Sequence, residues 1–256
     1  MSVLSMKQLP VCATCTLALA LPISHAFAQG EVAATASVPV VVIVRVASPW
    51  YVPNAFIKSK MRDSIGEYSN LAGLNFKAYS LAQTGGDFGG IYLWRDAQSA
   101  GTWFNPAWFE RIRKERGVEA QVRTFEAPLS IDNTPGGTLA DDHSATVSTL
   151  VEIAIPAGVT RERIVAGFAD SVPTYTKVPG LMRKYFTISQ QGTFGGVYLW
   201  KDELSARAWF NTEWHERVRK TYGRPAKIEW FDTPILLPSK RAENALPANV
   251  LITAKP

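Results

Sequence analysis

Two lysines occupy positions from which their amines can take part in chemistry. Lys77 and Lys184 each lie on a predicted strand. The residues two and four positions further on share the same strand face and are apolar, namely Tyr79, Leu81, Phe186 and Ile188. A partly buried ammonium of this kind can bind an anionic substrate or stabilise an enolate. The commoner role of such a lysine is to protect a sheet edge from aggregation, and the sequence leaves both roles open.

Large aromatic residues are concentrated at matching places in the two halves of the chain. They are Tyr92, Trp94, Trp103, Phe104, Trp108, Tyr198, Trp200, Trp209, Phe210 and Trp214. One interpretation is that they form the core, because large rings supply much of the buried area of a small domain. The other is that they line an apolar, nearly dry pocket between helices and sheet, in which a substrate would bind.

Three polar side chains close to these rings are further candidates for catalysis. Asn105 and Asn211 are placed as helix N-caps, and the same amide group can polarise a carbonyl or hold O₂ nearby. His215 can act as a general base, and Arg219 follows it one helical turn later on the same side. Phe109 stands in place of His215 in the first half, so a surface role for this histidine is the simpler interpretation.

A long internal repeat organises the chain. Phe88–Asp96 reads Phe-Gly-Gly-Ile-Tyr-Leu-Trp-Arg-Asp, and Phe194–Asp202 reads Phe-Gly-Gly-Val-Tyr-Leu-Trp-Lys-Asp. Laying residues 88–117 on residues 194–223 without a gap gives 18 identities in 30 positions. Shared secondary structure alone does not produce such a match, which indicates a tandem duplication.

Hydrophobic periodicity predicts the same order of elements in each repeat. A β-branched run at 38–47 is typical of a buried strand, and its copy lies at 147–154. An amphipathic helix follows, then a hairpin whose second strand carries the Gly-Gly motif, then two short helices. A last strand at 119–127, copied at 226–233, is expected to end before Pro128 and Pro234. Each repeat thus reads β-α-β-β-α-α-β, which is a ferredoxin-like order.

The motif strand indicates how the two repeats are arranged. Both of its faces are apolar or small, so the unit's own helices cover one face and the other needs a second cover. We therefore predict an α+β fold in which two tandem ferredoxin-like repeats form an intrachain pseudo-dimeric α+β barrel. The predicted boundaries are 38–129 and 145–237 for the repeats, 130–144 for a linker and 238–256 for an extended or disordered tail. The rival arrangement pairs each repeat with another chain, which would give a swapped or higher homo-oligomer.

The N-terminus predicts export. Residues 1–28 carry one basic residue, Lys7, an apolar run and then Ala26-Phe27-Ala28, which is typical of a cleaved signal peptide. Cys12 and Cys15 lie within it, so their spacing does not indicate a redox or zinc site. We expect a periplasmic or secreted protein that has no membrane anchor after cleavage.

Composition limits the classes of ligand and partner that the protein is expected to bind. The chain has 27 Lys and Arg against 22 Asp and Glu, and this mild excess is spread over both repeats, which argues against nucleic-acid binding. The mature chain would have no cysteine, and its histidines are His143 and His215, so no metal-ligand set is visible. We therefore expect no metal and no cofactor.

Several motifs carry a family resemblance. The chain has Gly-Leu followed by Lys after the first helix of each repeat, Gly-Gly-x-Tyr-Leu-Trp, Trp-Phe-Asn-x-x-Trp and Arg-x-Arg-Lys. Together these resemble the YdhR-like predicted monooxygenases of the dimeric α+β barrel, or antibiotic biosynthesis monooxygenase, superfamily. The resemblance covers nearly all of both repeats and implies the barrel fold and an oxygenase role.

The resemblance also bears on the cofactor. Haem-degrading relatives place a haem-ligating histidine ten residues after the tryptophan of the first short helix. Ten residues after Trp103 and Trp209 this chain has Arg113 and Arg219, and arginine does not ligate iron. The two arginines are instead candidates for substrate binding.

The sequence features leave two candidate functions, one an enzyme and the other a binding protein. The first is an exported, cofactor-independent monooxygenase that acts with O₂ on a small apolar or aromatic substrate. Such enzymes need a dry site and a base, because the substrate must lose a proton before it can pass an electron to O₂. The second is a non-catalytic periplasmic protein that binds or sequesters an apolar ligand in the same pocket.

Overall fold

The computed structural model describes residues 37–134, 145–238, 241, 244, 246 and 249–253. These residues belong to one compact unit, Ala36–Pro256. The predicted signal peptide, residues 135–144 of the predicted linker and His143 lie outside the described residues. Among the described helices none has the length and apolar character needed to cross a bilayer.

The first half of the described chain contains four strands and four helices. They are β1 (Val40–Val46), α1 (Asn54–Asp63), α2 (Ile65–Ser69), β2 (Leu74–Ala82), β3 (Phe88–Trp94), α3 (Ala97–Trp103), α4 (Pro106–Arg116) and β4 (Ala120–Asp132). Capping residues set the ends of α3 and α4. Asp96 and Asn105 accept backbone hydrogen bonds at their N-termini, and Gly117 ends α4 in the left-handed region with φ 72°.

The second half repeats this order with three helices. Its elements are β5 (Val147–Ala154), α5 (Arg161–Tyr175), β6 (Leu181–Ser189), β7 (Thr193–Trp200), α6 (Glu203–Trp209), α7 (Thr212–Tyr222), β8 (Lys227–Pro238) and β9 (Leu251–Thr253). The same caps recur here, since Thr160, Asp202 and Asn211 each accept a hydrogen bond from the first turn of a helix.

The first helix differs between the halves. In the second half it is continuous, as predicted, whereas in the first half it is divided into α1 and α2 at Ser64. The Ser64 hydroxyl donates to the carbonyl of Met61 at 2.9 Å and is hydrogen-bonded at 2.8 Å to the hydroxyl of Tyr79. Phe186 replaces Tyr79 in the second half and offers no such partner.

Eight strands form one closed, antiparallel ring. Its order is β1, β3, β2, β8, β5, β7, β6 and β4, and β4 pairs again with β1. The interior is apolar and is filled from both halves by Val41, Ile43, Phe76, Ile91, Leu93, Phe125, Leu150, Tyr185, Val197, Leu199, Phe231 and Leu236, among others. The α+β fold with a pseudo-dimeric, intrachain arrangement is therefore confirmed.

The last strand of each half joins the two halves together. The early part of β4 pairs with β1 and its later part with β6, while β8 pairs first with β5 and then with β2. The predicted strand ends before Pro128 and Pro234 were wrong. Both prolines lie where the ladder register shifts, and a bulge does not need the backbone N–H that proline lacks.

The described residues of the predicted tail contact the two halves. β9 pairs in parallel with the end of β4, and Asn244 is buried. The Asn244 side chain accepts from the backbone of Gly73 at 2.8 Å and donates to the carbonyls of Leu71 and Leu74. These bonds hold the loop between α2 and β2.

The strands that carry the Gly-Gly motif, β3 and β7, lie very close to their paired neighbours β1 and β5. A Cβ added at Gly89 or Gly195 would overlap the carbonyl oxygen of Val44 or Val151 on the adjacent strand. Both glycines are therefore required by the spacing of the backbones.

Gly89→Ala and Gly195→Ala are expected to lower the free energy of unfolding by about 1–3 kcal/mol or more, because the added methyl group must push two strands apart. Urea denaturation followed by tryptophan fluorescence measures the change. Gly101→Ala is the matched control, since it lies in α3 with open space around it and should be stabilising by up to about 1 kcal/mol. Equal effects at all three positions would contradict the close-approach argument.

Candidate functional site

Each half contains a cavity between the outer face of the sheet and its helices. The second-half cavity has a volume of about 710 Å³ and is bounded by α5, α7, β6 and β7. The first-half cavity has about 420 Å³ and is bounded by the equivalent elements. Both volumes lie in the range of small-molecule sites, roughly 300–1,000 Å³. Exposed residues such as Arg163 and Arg217 also line the larger cavity, so it opens to the surface.

A buried lysine lies at the floor of each cavity. Lys184 is 2% exposed, and its Nζ lies 3.1, 3.9 and 4.6 Å from the ring centres of Tyr175, Phe186 and Tyr198. Lys77, also 2% exposed, contacts the rings of Tyr68, Tyr79 and Tyr92 in the same way, at 3.0, 3.8 and 4.8 Å. The two halves thus build the same amine in an aromatic cage.

The alternative of an edge-strand lysine is wrong for both residues. Lys77 lies on β2, which pairs with β3 and β8, and Lys184 lies on β6, which pairs with β7 and β4. Neither strand therefore has a free edge to protect.

The Gly-Gly motif makes room for these lysines. A Cβ at Gly196 would lie 3.0 Å from Cε of Lys184, and one at Gly90 would lie 3.2 Å from Cε of Lys77. The second glycine of each motif therefore leaves the space through which the lysine stem passes towards the cavity. The first glycine of each motif, Gly89 or Gly195, thus allows close strand spacing, and the second makes room for the lysine.

Burial controls the charge of the lysines. Loss of hydration lowers the pKa of both well below the ordinary value of 10.5. The aromatic cage opposes this, since a desolvated cation–π contact is worth about 2 kcal/mol. Desolvation of a fully buried group shifts a pKa by up to about 3–5 units, or roughly 4–7 kcal/mol. Burial therefore favours the neutral amine of Lys184 over its ammonium form, compared with an exposed lysine.

The tyrosines around Lys184 do not supply a negative charge. Burial raises the pKa of Tyr175 and of Tyr198, so both phenols are neutral at the pH where the protein would act. The Tyr198 hydroxyl donates to that of Tyr175 at 3.4 Å. Tyr175 is held in turn by Asn133, whose side-chain amide donates to the Tyr175 carbonyl at 3.0 Å.

The two cavities differ in their polar groups. The first half has Glu67 and Glu115 where the second half has Thr174 and Thr221. The charge of Glu67 partly offsets the effect of burial on the pKa of Lys77, whereas Lys184 has no such contribution. The second-half cavity is also the larger of the two, and its amine is the more isolated from negative charge.

Sequence reasoning identified part of the cavity lining. Of the residues predicted for the site, the cavities are lined by Lys77, Tyr92, Trp108, Lys184, Tyr198, Trp209 and Trp214. Four other predicted rings pack into the core beneath the helices, namely Trp94, Phe104, Trp200 and Phe210. Trp103 contacts Tyr68 edge-on, with the ring centres 5.6 Å apart.

The predicted polar candidates other than the two lysines lie outside the cavities. Asn105 and Asn211 are exposed N-caps that accept from the backbone of Trp108 and Trp214 at 3.0 and 2.9 Å. His215 packs edge-on against the Trp214 ring. Arg113 and Arg219 are exposed on α4 and α7, and Arg113 pairs with Glu119 at 3.7 Å.

Other lining residues were not singled out as site residues from the sequence. They include Tyr68, Tyr79, Phe88, Phe168, Tyr175, Phe186 and Phe194. A signal for some of them was present, because Phe168 and Tyr175 lie on the apolar stripe of the first helix and Phe186 follows Lys184 on the same strand face. The stripe predicts burial but does not distinguish a core contact from a cavity wall.

These features define a class of protein. It is a single-chain α+β barrel in which two ferredoxin-like halves share a closed sheet and each encloses an amine-bearing cavity. Its architecture is that of a pseudo-dimeric α+β barrel.

Comparison with solved structures supports this class. A predicted monooxygenase from Fusobacterium nucleatum has a TM-score of 0.57 at 11% identity, over 79% of this chain and 95% of its own. An anthrone oxidase-like protein has a TM-score of 0.56 at 8% identity, over 83% and 97%. A predicted monooxygenase from Lactobacillus acidophilus has a TM-score of 0.55 at 10% identity, over 79% and 97%. Identities this low establish the fold alone.

At the level of sequence, no protein-family model and no curated protein matches the chain. The narrower resemblance to YdhR-like proteins therefore stays a prediction, whereas the ferredoxin-like α+β barrel fold that this chain shares with these structures is shown.

Lys184→Met is expected to raise the free energy of unfolding near pH 7. The lysine pKa is lowered on folding, so the unfolded chain binds a proton that the folded chain does not, and stability falls as pH drops below 10.5. Each unit of lowering is worth about 1.4 kcal/mol. The advantage of the variant should therefore shrink as pH rises towards 10.5.

Urea titrations at several pH values measure this effect. Lys114→Met, on the exposed surface of α4, is the control and should show no such dependence. A Lys184→Met variant that is less stable by the same amount at every pH would mean that the lysine is charged and paired in the folded protein.

Asn211→Ala is expected to lower stability by about 1 kcal/mol while leaving ligand binding in the cavity unchanged, because the side chain caps α7 away from the lining. Asn211→Asp keeps the cap and should restore the stability. Thermal unfolding and dye binding provide the two measurements, and lost binding at full stability would indicate a direct role for the amide.

Proposed function

We propose that this protein is a cofactor-independent monooxygenase that acts on a small apolar or aromatic substrate in the second-half cavity. The observation that carries the proposal is the Lys184 amine, buried at the floor of an aromatic cavity of about 710 Å³ and without a carboxylate partner among the described residues. An amine whose pKa is lowered by burial among aromatic rings is a competent general base.

The chemistry begins with proton transfer. The Lys184 amine takes a proton from an acidic C–H or O–H group of the substrate, which leaves an electron-rich carbanion or phenolate. This anion passes an electron to O₂, and the two radicals combine at a carbon that still carries a hydrogen. The peroxide takes the proton back from the Lys184 ammonium, and loss of water from the resulting hydroperoxide yields a carbonyl group. The ammonium formed on Lys184 stabilises the anion in the low-dielectric cavity.

The lining of the cavity suits a flat substrate. Phe168, Phe186, Phe194 and Trp214 present apolar surface, which binds aromatic rings and excludes water. Trp209 lies in the same wall, and its buried indole N–H has no hydrogen-bond partner among the described residues. It can therefore donate to a substrate oxygen on which negative charge develops.

The substrate class follows from this pairing of base and donor. An aromatic ketone with an acidic methylene group, or a hydroquinone, has both a transferable proton and an oxygen for the donor. One of the similar structures is described as anthrone oxidase-like, and anthrone has this chemistry. Anthrone is therefore the first substrate to test.

The first-half cavity is proposed as the weaker site. It is smaller, and Glu67 and Glu115 introduce charge into its lining. A nearby carboxylate favours the ammonium form of Lys77 and so reduces its strength as a base.

We further propose that the protein is exported to the periplasm or secreted. The support is the charge, apolar run and small-residue site of residues 1–28. A cell fractionation that found the full-length chain in the cytoplasm would contradict this part of the proposal.

A second candidate is a non-catalytic protein that sequesters an apolar ligand. The observation that favours it is the position of His215 outside the cavity, which leaves Lys184 as the lone strong base among the described lining residues. This candidate shares the cavity and differs in predicting no turnover.

O₂ uptake by the purified protein, measured with anthrone and with a panel of hydroquinones and phenols, tests the two candidates. Lys184→Ala should lower kcat by about 10²–10⁴-fold, the usual contribution of a general base. Activity should rise with pH as the ammonium of Lys184 loses its proton and should level off well below pH 10.5.

Lys77→Ala is the matched control, because it removes the equivalent lysine from the other half and should retain most of the activity. Trp209→Phe, which removes the indole N–H and keeps most of the ring contacts, should lower activity with little loss of stability. If no substrate drives O₂ uptake while anthrone still quenches tryptophan fluorescence saturably, the enzyme proposal fails and the sequestering candidate stands.

A further inference from the structure

The amine of Lys184 is surrounded by aromatic rings and lies apart from the charged groups of its cavity. No described carboxylate lies within ion-pair distance of it, and its immediate neighbours are the rings of Tyr175, Phe186 and Tyr198. The remaining titratable or charged groups of the cavity are Arg163, Asp170, Arg217, Tyr222 and the two tyrosines. Arg163, Asp170 and Arg217 are exposed, so they lie at the surface opening.

Such an amine is a nucleophile as well as a base. An ordinary lysine is neutral in roughly one molecule in 2,500 at pH 7, because its pKa is about 10.4. Burial lowers the pKa of Lys184 well below that value, so a much larger fraction of molecules carries the free lone pair. The cavity lets a small carbonyl compound reach it, since the lining continues from Lys184 to the surface residues.

The lining also selects the carbonyl compound. Apolar rings bound the cavity on the helix side and on the sheet side, through Phe168, Phe194 and Trp214. They favour a flat aromatic group and disfavour a carboxylate next to the carbonyl, since that charge would be buried without a partner.

We propose that Lys184 is a site of reversible covalent binding, at which its amine forms an imine with small apolar aromatic aldehydes. The nitrogen lone pair adds to the carbonyl carbon, and a proton moves from nitrogen to oxygen to give a carbinolamine. The carbinolamine loses its oxygen as water, which leaves a C=N bond. One aldehyde and one amine give one imine and one water, with no oxidant or reductant, and hydrolysis reverses the step.

Lys77 provides a comparison within the same chain. Its cage has the same geometry, but its cavity is smaller, at about 420 Å³, and Glu67 lines it. The carboxylate stabilises the ammonium form, which has no lone pair for addition. Imine formation at Lys77 should therefore be slower than at Lys184.

Reductive trapping tests the proposal. The purified full chain is incubated at pH 7 with benzaldehyde and sodium cyanoborohydride, which reduces an imine to a stable benzylamine. Peptide mass spectrometry then locates the added benzyl groups. We expect Lys184 to be labelled at least about tenfold faster than exposed lysines such as Lys114 and Lys220, in keeping with its larger neutral fraction.

Two controls separate cavity chemistry from general reactivity. Lys184→Arg removes the nucleophile and should abolish this label without changing the labelling of Lys114, with circular dichroism confirming the fold. Naphthalene, which has no carbonyl group, should compete with benzaldehyde and slow labelling at Lys184 alone. Labelling of Lys184 that is no faster than that of Lys114, or that naphthalene does not affect, would overturn the proposal.

The result is independent of oxygenase activity. Trapping at Lys184 without O₂ uptake from any substrate would support the imine site and reject the monooxygenase. O₂ uptake that needs Lys184 without trapping would support the base and reject the imine.

Discussion

The structure depends on the need to bury both faces of the central strands. In β3 the side chains of Tyr92 and Trp94 point to the helices, while Ile91 and Leu93 point the other way. A four-stranded sheet with helices on one face would leave the second set in water. Closing two such sheets into one ring buries these residues in a shared interior, and the hydrophobic free energy gained is proportional to the apolar area removed from water.

Ring closure is achieved by the final strand of each half. β4 and β8 begin in the sheet of one half and end in that of the other, with a bulge at the crossing. Charged side chains on the early parts of these strands also join the halves. Glu229 on β8 pairs with Arg45 and with Arg123, at 2.8 and 2.9 Å, and both arginines come from the first half. Burial alone would raise the pKa of Glu229. Lys227 and these two arginines lower it by more, so the net pKa lies below the ordinary value and the carboxylate stays ionised.

The cavities are a consequence of this architecture. Helices cover the outer face of the ring only in part, and the second glycine of each Gly-Gly motif leaves room on β3 and β7 for a lysine stem. The residues around the two lysines differ between the halves. Phe186 in place of Tyr79 and Thr174 in place of Glu67 make the second cavity more apolar, while the backbone positions stay equivalent. One half thereby holds the isolated amine, and the other holds an amine near a carboxylate.

Local patterns in the sequence determined the repeat, nearly all of the elements, the caps and the presence of lysines on apolar strand faces. These depend on residues within a turn or two of each other, so a single sequence is enough to predict them. The pseudo-dimeric ring could also be predicted, because both faces of the motif strand are apolar. The crossing of β4 and β8 beyond Pro128 and Pro234 could not, since it depends on which strand lies opposite the bulge.

The roles of the individual rings and lysines were decided only by the tertiary structure. Trp94 and Tyr92 lie on the same strand face and look alike in the sequence, yet the first is sealed under α3 and α4 while the second borders a cavity. The charge state of Lys184 likewise depends on rings brought together from α5, β6 and β7. Hydration is lost only when these distant segments meet, and for that reason no local pattern in the chain reveals it.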